Sequence, residues 1–303
     1  MYGQKNLSKV YNLSKEILFD DYSKIVIMSD CHRGDGSYSD NFSKNESIYF
    51  AALSHYFNLG YIYIELGDGD ELWENNSIKD IIDAHLDTFK ILSKFYKSGR
   101  LYFIFGNHDM VKKDKKYTEN NLCKHLNYSK EEYISLFEDI DIHEGLILKH
   151  KFTEDKIFLI HGHQVSFLDY RLWKFRRFLV RHIWRPLELI GINDPTSPAK
   201  NYDKKEKISK RLSKWVNDNN RLLIAGHTHQ PHLPQTGETP YFNDGSCVHP
   251  TGITAIEIER GLITLVKWKI KSKDDGTLFA GREILSGPSK LNEYFKKHLD
   301  ESI

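Results

Sequence analysis

The sequence predicts an α/β fold built around a mostly parallel sheet. Two observations predict it: five short apolar runs, each the length of a buried strand, recur along the chain, and longer mixed segments with helical character lie between them. A third narrows it: each run ends in polar residues of one chemical kind.

The first strand is Ile25-Val26-Ile27-Met28-Ser29-Asp30, whose consecutive apolar residues suit a strand buried on both faces. A helical segment over 43–59 separates it from the second strand, 61–66. Another over 79–98 precedes the third, 101–105, and a third over 130–138 precedes the fourth, 156–160. The fifth strand is 221–225. Residues 253–259 and 262–270 read as an antiparallel pair joined at Arg260-Gly261, a second sheet or an extra edge. The tail 271–303 reads as a closing helix or an interface. Residues 164–220 break the rhythm. They are too many for an ordinary connection, so a helical lid inserted in a single domain, 1–303, is expected there, cut by Pro186, Pro195 and Pro198.

Composition excludes several classes. With 43 Lys+Arg against 42 Asp+Glu the formal charge is +1, too balanced for a broad nucleic-acid footprint. A chain 40% hydrophobic, 13% aromatic and 28% charged is neither disordered nor collagenous. No apolar run approaches the roughly 20 residues that span a bilayer. Residues 1–24 lack a secretory apolar core and a small-residue cleavage site. Cys31, Cys123 and Cys247 are odd in number and far apart, so a reducing, cytoplasmic setting is expected.

The strand ends carry the chemistry. They read Ser29-Asp30-Cys31-His32, Gly67-Asp68-Gly69-Asp70, Gly106-Asn107-His108-Asp109, His161-Gly162-His163 and Gly226-His227-Thr228-His229. In a parallel α/β sheet the carboxyl ends of strands form the ligand crevice, so these segments converge. Asp and Asn oxygens mixed with imidazoles, and no thiolate, suit two Mn, Fe or Zn ions better than a structural Cys site. In extended backbone, side chains two apart share a face, pairing Asp30 with His32 and His227 with His229. Gly67, Gly106 and Gly226 allow sharp turns and close approach. A chance Gly-Asn-His-Asp is on the order of one in a thousand for a chain of this length.

The ordered set Asp30-x-His32, Gly67-Asp68, Gly106-Asn107-His108-Asp109, His161 and Gly226-His227-x-His229 resembles the calcineurin-like metallophosphoesterase superfamily over residues 25–260. The resemblance implies a four-layer αββα sandwich with two mixed sheets. It implies that one metal takes Asp30, His32 and His229, and the other Asn107, His161 and His227. Asp68 bridges them, with Asp70 its rival. It implies a hydrolase of phosphodiesters, pyrophosphates or phosphomonoesters that attacks with a metal-bridging hydroxide, manganese being the expected ion. His108 would assist the leaving oxygen with Asp109 orienting its ring. A non-catalytic metal-binding scaffold of the same fold and a nuclease are the alternatives, and no obligate nucleic-acid partner is expected. Arg33 either meets a substrate phosphate or stands solvated, and His163 lies behind the metals or near the substrate. Asn243-Asp244-Gly245-Ser246 reads as a turn that supports the site from behind.

Residues 167–190 alternate apolar and basic positions. Leu168, Leu172, Phe175, Leu179, Ile183 and Leu187 fall on one helical face; Arg171, Lys174, Arg177, Arg181 and Arg185 fall opposite. Three readings compete: a lid packing its apolar face on its own domain, a helix touching anionic lipid, or a basic wall collecting a phosphorylated substrate through residues such as Arg177. The place of this insertion is similar to that in the UDP-2,3-diacylglucosamine pyrophosphohydrolase branch of the superfamily, which acts on a lipid precursor. The chain departs from that branch at His108 and His163.

Overall fold

The structure is a computed structural model that describes residues 2–127, 131–184 and 202–295. The predicted strands form where the apolar runs lie: Lys24–Met28, Ile62–Leu66, Leu101–Ile104, Lys156–Ile160 and Leu222–Ala225. They divide between two sheets. Among the described residues, the larger sheet orders Leu278–Lys290, Leu262–Ser272, Ile253–Glu259, Lys24–Met28, Ile62–Leu66, Leu101–Ile104 and Ile142–His143. The smaller orders Lys15–Phe19, Gly145–His150, Lys156–Ile160, Leu222–Ala225 and Tyr241–Asn243. Both are mixed: Ile253–Glu259 runs antiparallel to Lys24–Met28, and Gly145–His150 antiparallel to Lys156–Ile160.

Alternation along the strands explains the layers, because successive side chains point to opposite faces. Val26 and Met28 meet Tyr49, Leu53, Ile82, Phe89 and Phe95 of helices Glu46–Asn58, Ile78–Ala84 and Leu86–Lys97. Ile25 and Ile27 point the other way, into a core shared with Leu146, Leu148, Ile157, Leu159, Leu222 and Ile224 of the smaller sheet. The outward residues of that sheet, Ile147, Phe158, Ile160 and Leu223, are covered by helices Tyr2–Leu13 and Tyr202–Asn219. Helix, sheet, sheet, helix is the result. Ile208, Leu212, Trp215 and Val216 supply one apolar stripe of helix Tyr202–Asn219 at helical spacing.

Four expectations are corrected. The 130–138 segment is not helical where described: Glu132–Ser135 is a strand paired with Lys124–Asn127. The tail builds the edge strand Leu278–Lys290 instead of a closing helix, and a short 3₁₀ turn, Leu291–Tyr294, follows it. Helix Tyr202–Asn219 belongs to an outer layer, so it is not part of a lid. The amphipathic segment is two short helices, Phe167–Arg171 and Trp173–Leu179, and a π turn, Val180–Trp184. Its apolar stripe faces outward. Leu168, Leu172, Phe175 and Ile183 are exposed, whereas Asp169, Trp173 and Arg176 are buried. Arg185, Pro186, Leu187, Pro195 and Pro198 lie outside the described residues. Among the described residues no helix is long and apolar enough to cross a membrane.

Candidate dinuclear metal centre

The carboxyl ends of three strands of the larger sheet deliver Asp30, Asp68 and Asn107-His108, while two strands of the smaller sheet deliver His161 and His227 with His229. Direct contacts join the two sets. The His227 backbone N–H donates to Asp30 Oδ2 at 2.8 Å, and His161 Nε2 lies 3.1 Å from Asp68 Oδ2.

The backbone here is unusual. Asp30 (φ 51°), His32 (47°), Asp68 (49°), His227 (67°) and His229 (54°) all occupy the left-handed region, which costs a non-glycine residue about 1–2 kcal/mol. The ligand segments are therefore not extended, as the sequence suggested. Asp30 and His32 still meet, but His227 and His229 diverge into separate clusters. Neighbouring loops hold the strained residues: Asp30 N–H donates to Gly67 O at 3.0 Å and His32 N–H to Asp68 O at 2.9 Å. Glycine is required alongside them. A Cβ on Gly67 would strike the His161 ring, and one on Gly106 the Asp68 carboxylate and backbone nitrogen.

Two clusters join the predicted ligands, and a third group, His32, Glu71 and His108, shares His32 with the first. Donor atoms of Asp30, His32 and His229 lie within 4.8 Å of one another, as do those of Asp68, His161 and His227. They adjoin, since His161 Nε2 is 3.9 Å from Asp30 Oδ1. Asp30 Oδ1, His32 Nε2, His161 Nε2, His227 Nε2 and both carboxamide atoms of Asn107 are buried without a hydrogen bond. Burying even one such atom unpaired costs about 1–3 kcal/mol. Their convergence fits divalent cations, which carboxylate, carboxamide and imidazole donors suit.

Ring orientation supports the fit. His161 Nδ1 donates to Leu66 O at 2.9 Å and His32 Nδ1 to Glu71 Oε2 at 2.8 Å, so each Nε2 is left as the acceptor a metal needs. Burial, reinforced by the charge of His161, lowers the His227 pKa to about 3 and keeps that ring neutral. Burial works against a proton on His161 too, but Asp68 and Asp30 outweigh it and raise its pKa to about 9. That proton would leave on metal loading. Behind Asp30, Ser29 Oγ lies 2.5 Å from its Oδ2 and 2.8 Å from Asp244 Oδ1. Burial, then the charge of Asp30, raises the Asp244 pKa well above the usual carboxylate range. Asn243 Nδ2 donates to Gly226 O at 2.7 Å, so this turn does brace the site.

His108 stands at the edge of the clusters, its backbone N–H donating to Asp68 Oδ1 at 2.8 Å. Its ring is oriented by Glu71, not by Asp109. Glu71 Oε1 accepts from His108 Nδ1 at 2.7 Å, and Trp73 stacks on the ring at 4.1 Å with 22° between planes. Asp109 turns inward, accepting from Gly106 N–H at 2.7 Å, Gly69 N–H at 3.2 Å and Lys112 Nζ at 2.8 Å. It shapes the loop. Glu71 and Lys112 escaped the sequence reading, and the signal that could have found Glu71 is the run of carboxylates Asp68, Asp70 and Glu71 before Trp73.

Arg33, His163 and Arg177, the three positions expected near the substrate, are corrected. Arg33 is fully buried, its fork bound to Glu65 at 2.7 Å and its Nε to Asp70 at 2.7 Å. It reaches no substrate. Asp70, also paired with Lys112 at 2.5 Å, is spent in the same network, while Asp68 faces the histidines. His163 is completely buried among His161, His227, Phe105 and Tyr170, where no substrate arrives. Arg177 stacks over Trp173 at 5.0 Å, on the 167–184 segment and not with the donor clusters.

A family model described as calcineurin-like phosphoesterase matches residues 23–231. Among solved structures the chain is similar to Vps29 of Chaetomium thermophilum, at 12% identity and a TM-score of 0.39, over 88% of this chain and 97% of that one. No curated protein matches significantly.

Proposed function

Because the chain belongs to the calcineurin-like phosphoesterase family, whose members are generally metal-dependent hydrolases, we propose that it hydrolyses a phosphoric ester or pyrophosphate with two divalent cations. Asp30, His32 and His229 would hold one, Asn107, His161 and His227 the other, and Asp68 would lie between them. The convergence on one crevice of buried carboxylates and imidazoles, several of whose donor atoms make no hydrogen bond, carries this reading. Bound there, the cations would supply positive charge for a phosphate and a water activated for in-line attack.

The chain's own residues supply the rest. Ser29 and the His227 N–H fix the Asp30 carboxylate. Glu71 and Trp73 fix the His108 ring by one nitrogen and one face. With Nδ1 donating to Glu71, His108 would pass a proton to the oxygen of the departing group from Nε2 only as the doubly protonated ring, a form the Glu71 carboxylate favours. Manganese is our expectation for both ions, and a cytoplasmic setting our expectation for the protein, from three cysteines that are odd in number and far apart in sequence.

The test is hydrolysis of bis-p-nitrophenyl phosphate by metal-stripped protein refilled with Mn²⁺, with His108→Ala alongside. Mn²⁺-dependent turnover should fall by about 100-fold or more in the variant. Two bound equivalents of Mn²⁺ without turnover on diester, monoester or pyrophosphate substrates would instead favour a non-catalytic scaffold.

A further inference from the structure

We propose that the outer face of residues 167–184 docks this protein on an anionic lipid bilayer. Phe167, Leu168, Leu172, Phe175, Phe178 and Ile183 are between 40% and 59% exposed, six large apolar side chains within seventeen residues. Water-exposed apolar surface on that scale marks an interaction site. Tyr2 meets the Phe167 ring edge-on at 5.3 Å and widens the patch.

Charge selects the occupant. Arg171 and Lys174 are exposed between the apolar positions, and the described residues that line a groove of about 280 Å³, Lys174, Arg177, Phe178, His182 and the inward-turned Arg181, include no carboxylate. Apolar side chains at the depth of acyl chains with cations at the depth of phosphates are what an anionic bilayer surface rewards. A second copy fits worse, because a two-fold contact would set these cations against themselves.

The face is held firmly from beneath, so its exposure is built into the fold. Trp173 packs with Trp73, Phe105 and Met110. Arg181 donates to the carbonyls of Trp73, Leu72 and Asn75 at 3.0, 2.8 and 2.9 Å. Arg176 pairs with Asp169 and lies 5.3 Å over Trp73. Docking would therefore bring the crevice, whose His108 leans on Trp73, to the membrane surface.

The experiment is co-sedimentation of the full chain with vesicles of phosphatidylcholine alone or mixed with phosphatidylglycerol, at low and high salt. Binding is expected to the anionic vesicles and to weaken with salt. Phe175→Ser/Phe178→Ser should weaken it at least about tenfold, and Lys174→Glu/Arg177→Glu should abolish the preference for phosphatidylglycerol. All four side chains lie on this outer segment, and a wild-type unfolding midpoint certifies each variant. The proposal is overturned by absence of sedimentation with either vesicle, or by binding that the phenylalanine variant leaves intact. It is also overturned if light scattering finds a dimer that the same variant dissolves, or if free glycerol phosphate competes all binding away.

Discussion

Glu71 is the residue through which two functions meet. One oxygen takes the Nδ1 proton of the proposed ligand His32, the other that of His108. A carboxylate can accept both; a carboxamide has one accepting oxygen and an NH₂ that repels an N–H. Glu71→Gln should therefore release one ring, lowering Mn²⁺ affinity, turnover or both by about 10–100-fold. Calorimetric Mn²⁺ titration and kcat on a diester would detect this in a protein with an unchanged circular dichroism spectrum; unaltered values in both would refute the role. At this scale the sequence was most informative about donor types. Six of the seven expected ligands, all but Asn107, fall in the two donor clusters, because donor identity follows from chemistry that few other residues can do. Side-chain direction was not legible. Arg33 lies one residue past His32, yet its partner Glu65 is in a strand that reads as merely apolar. Asp109 follows His108 and still turns to Gly106.

At the scale of elements, the strand ends concentrate strain and close approach. Gly106 shows which of the two matters for binding. A methyl group there meets the carboxylate and backbone nitrogen of Asp68, whereas one at Gly60, at φ 81°, meets nothing within 4 Å. Gly106→Ala should thus cut Mn²⁺ affinity at least about tenfold by displacing the Asp68 carboxylate from His161 and His32. Gly60→Ala should cost only about 1 kcal/mol of stability, through its backbone conformation, and leave metal binding alone. Thermal unfolding beside Mn²⁺ titration separates them, and equal affinities in the two variants would count against the packing argument. The apolar runs marked the strands well, since burial on both faces leaves no polar residue among them. Of the three readings of the 167–184 segment, the lid that packs its apolar face on its own domain fails for a definable reason. Amphipathicity tells which face of a helix is apolar, not whether the protein or something else covers it. Trp173 and Arg176 won the inner face through the aromatic cluster around Trp73.

Across the whole molecule, the centre sits on the seam between two sheets. Periodicity alone suggested one mostly parallel sheet, because no local pattern tells a strand which sheet it will join; the motif order carried the four-layer reading. The seam has a thermodynamic consequence. Asp30, Asp68 and Asn107 come from one sheet, and His161, His227 and His229 from the other, so a cation bound by both sets favours only the assembled sandwich. Ligands that bind the folded state alone stabilise it by RT ln(1 + [L]/Kd), about 2.7 kcal/mol at a hundredfold excess over Kd. Mn²⁺ should accordingly raise the unfolding midpoint by several degrees, and a chelator should reverse the gain. Asp68→Asn should lose most of this gain, because the group that faces His161 and His227 is then neutral. Equal midpoints with and without Mn²⁺, or an equal gain in the variant, would mean that the seam is held by apolar packing alone and that the donors do not act as one centre.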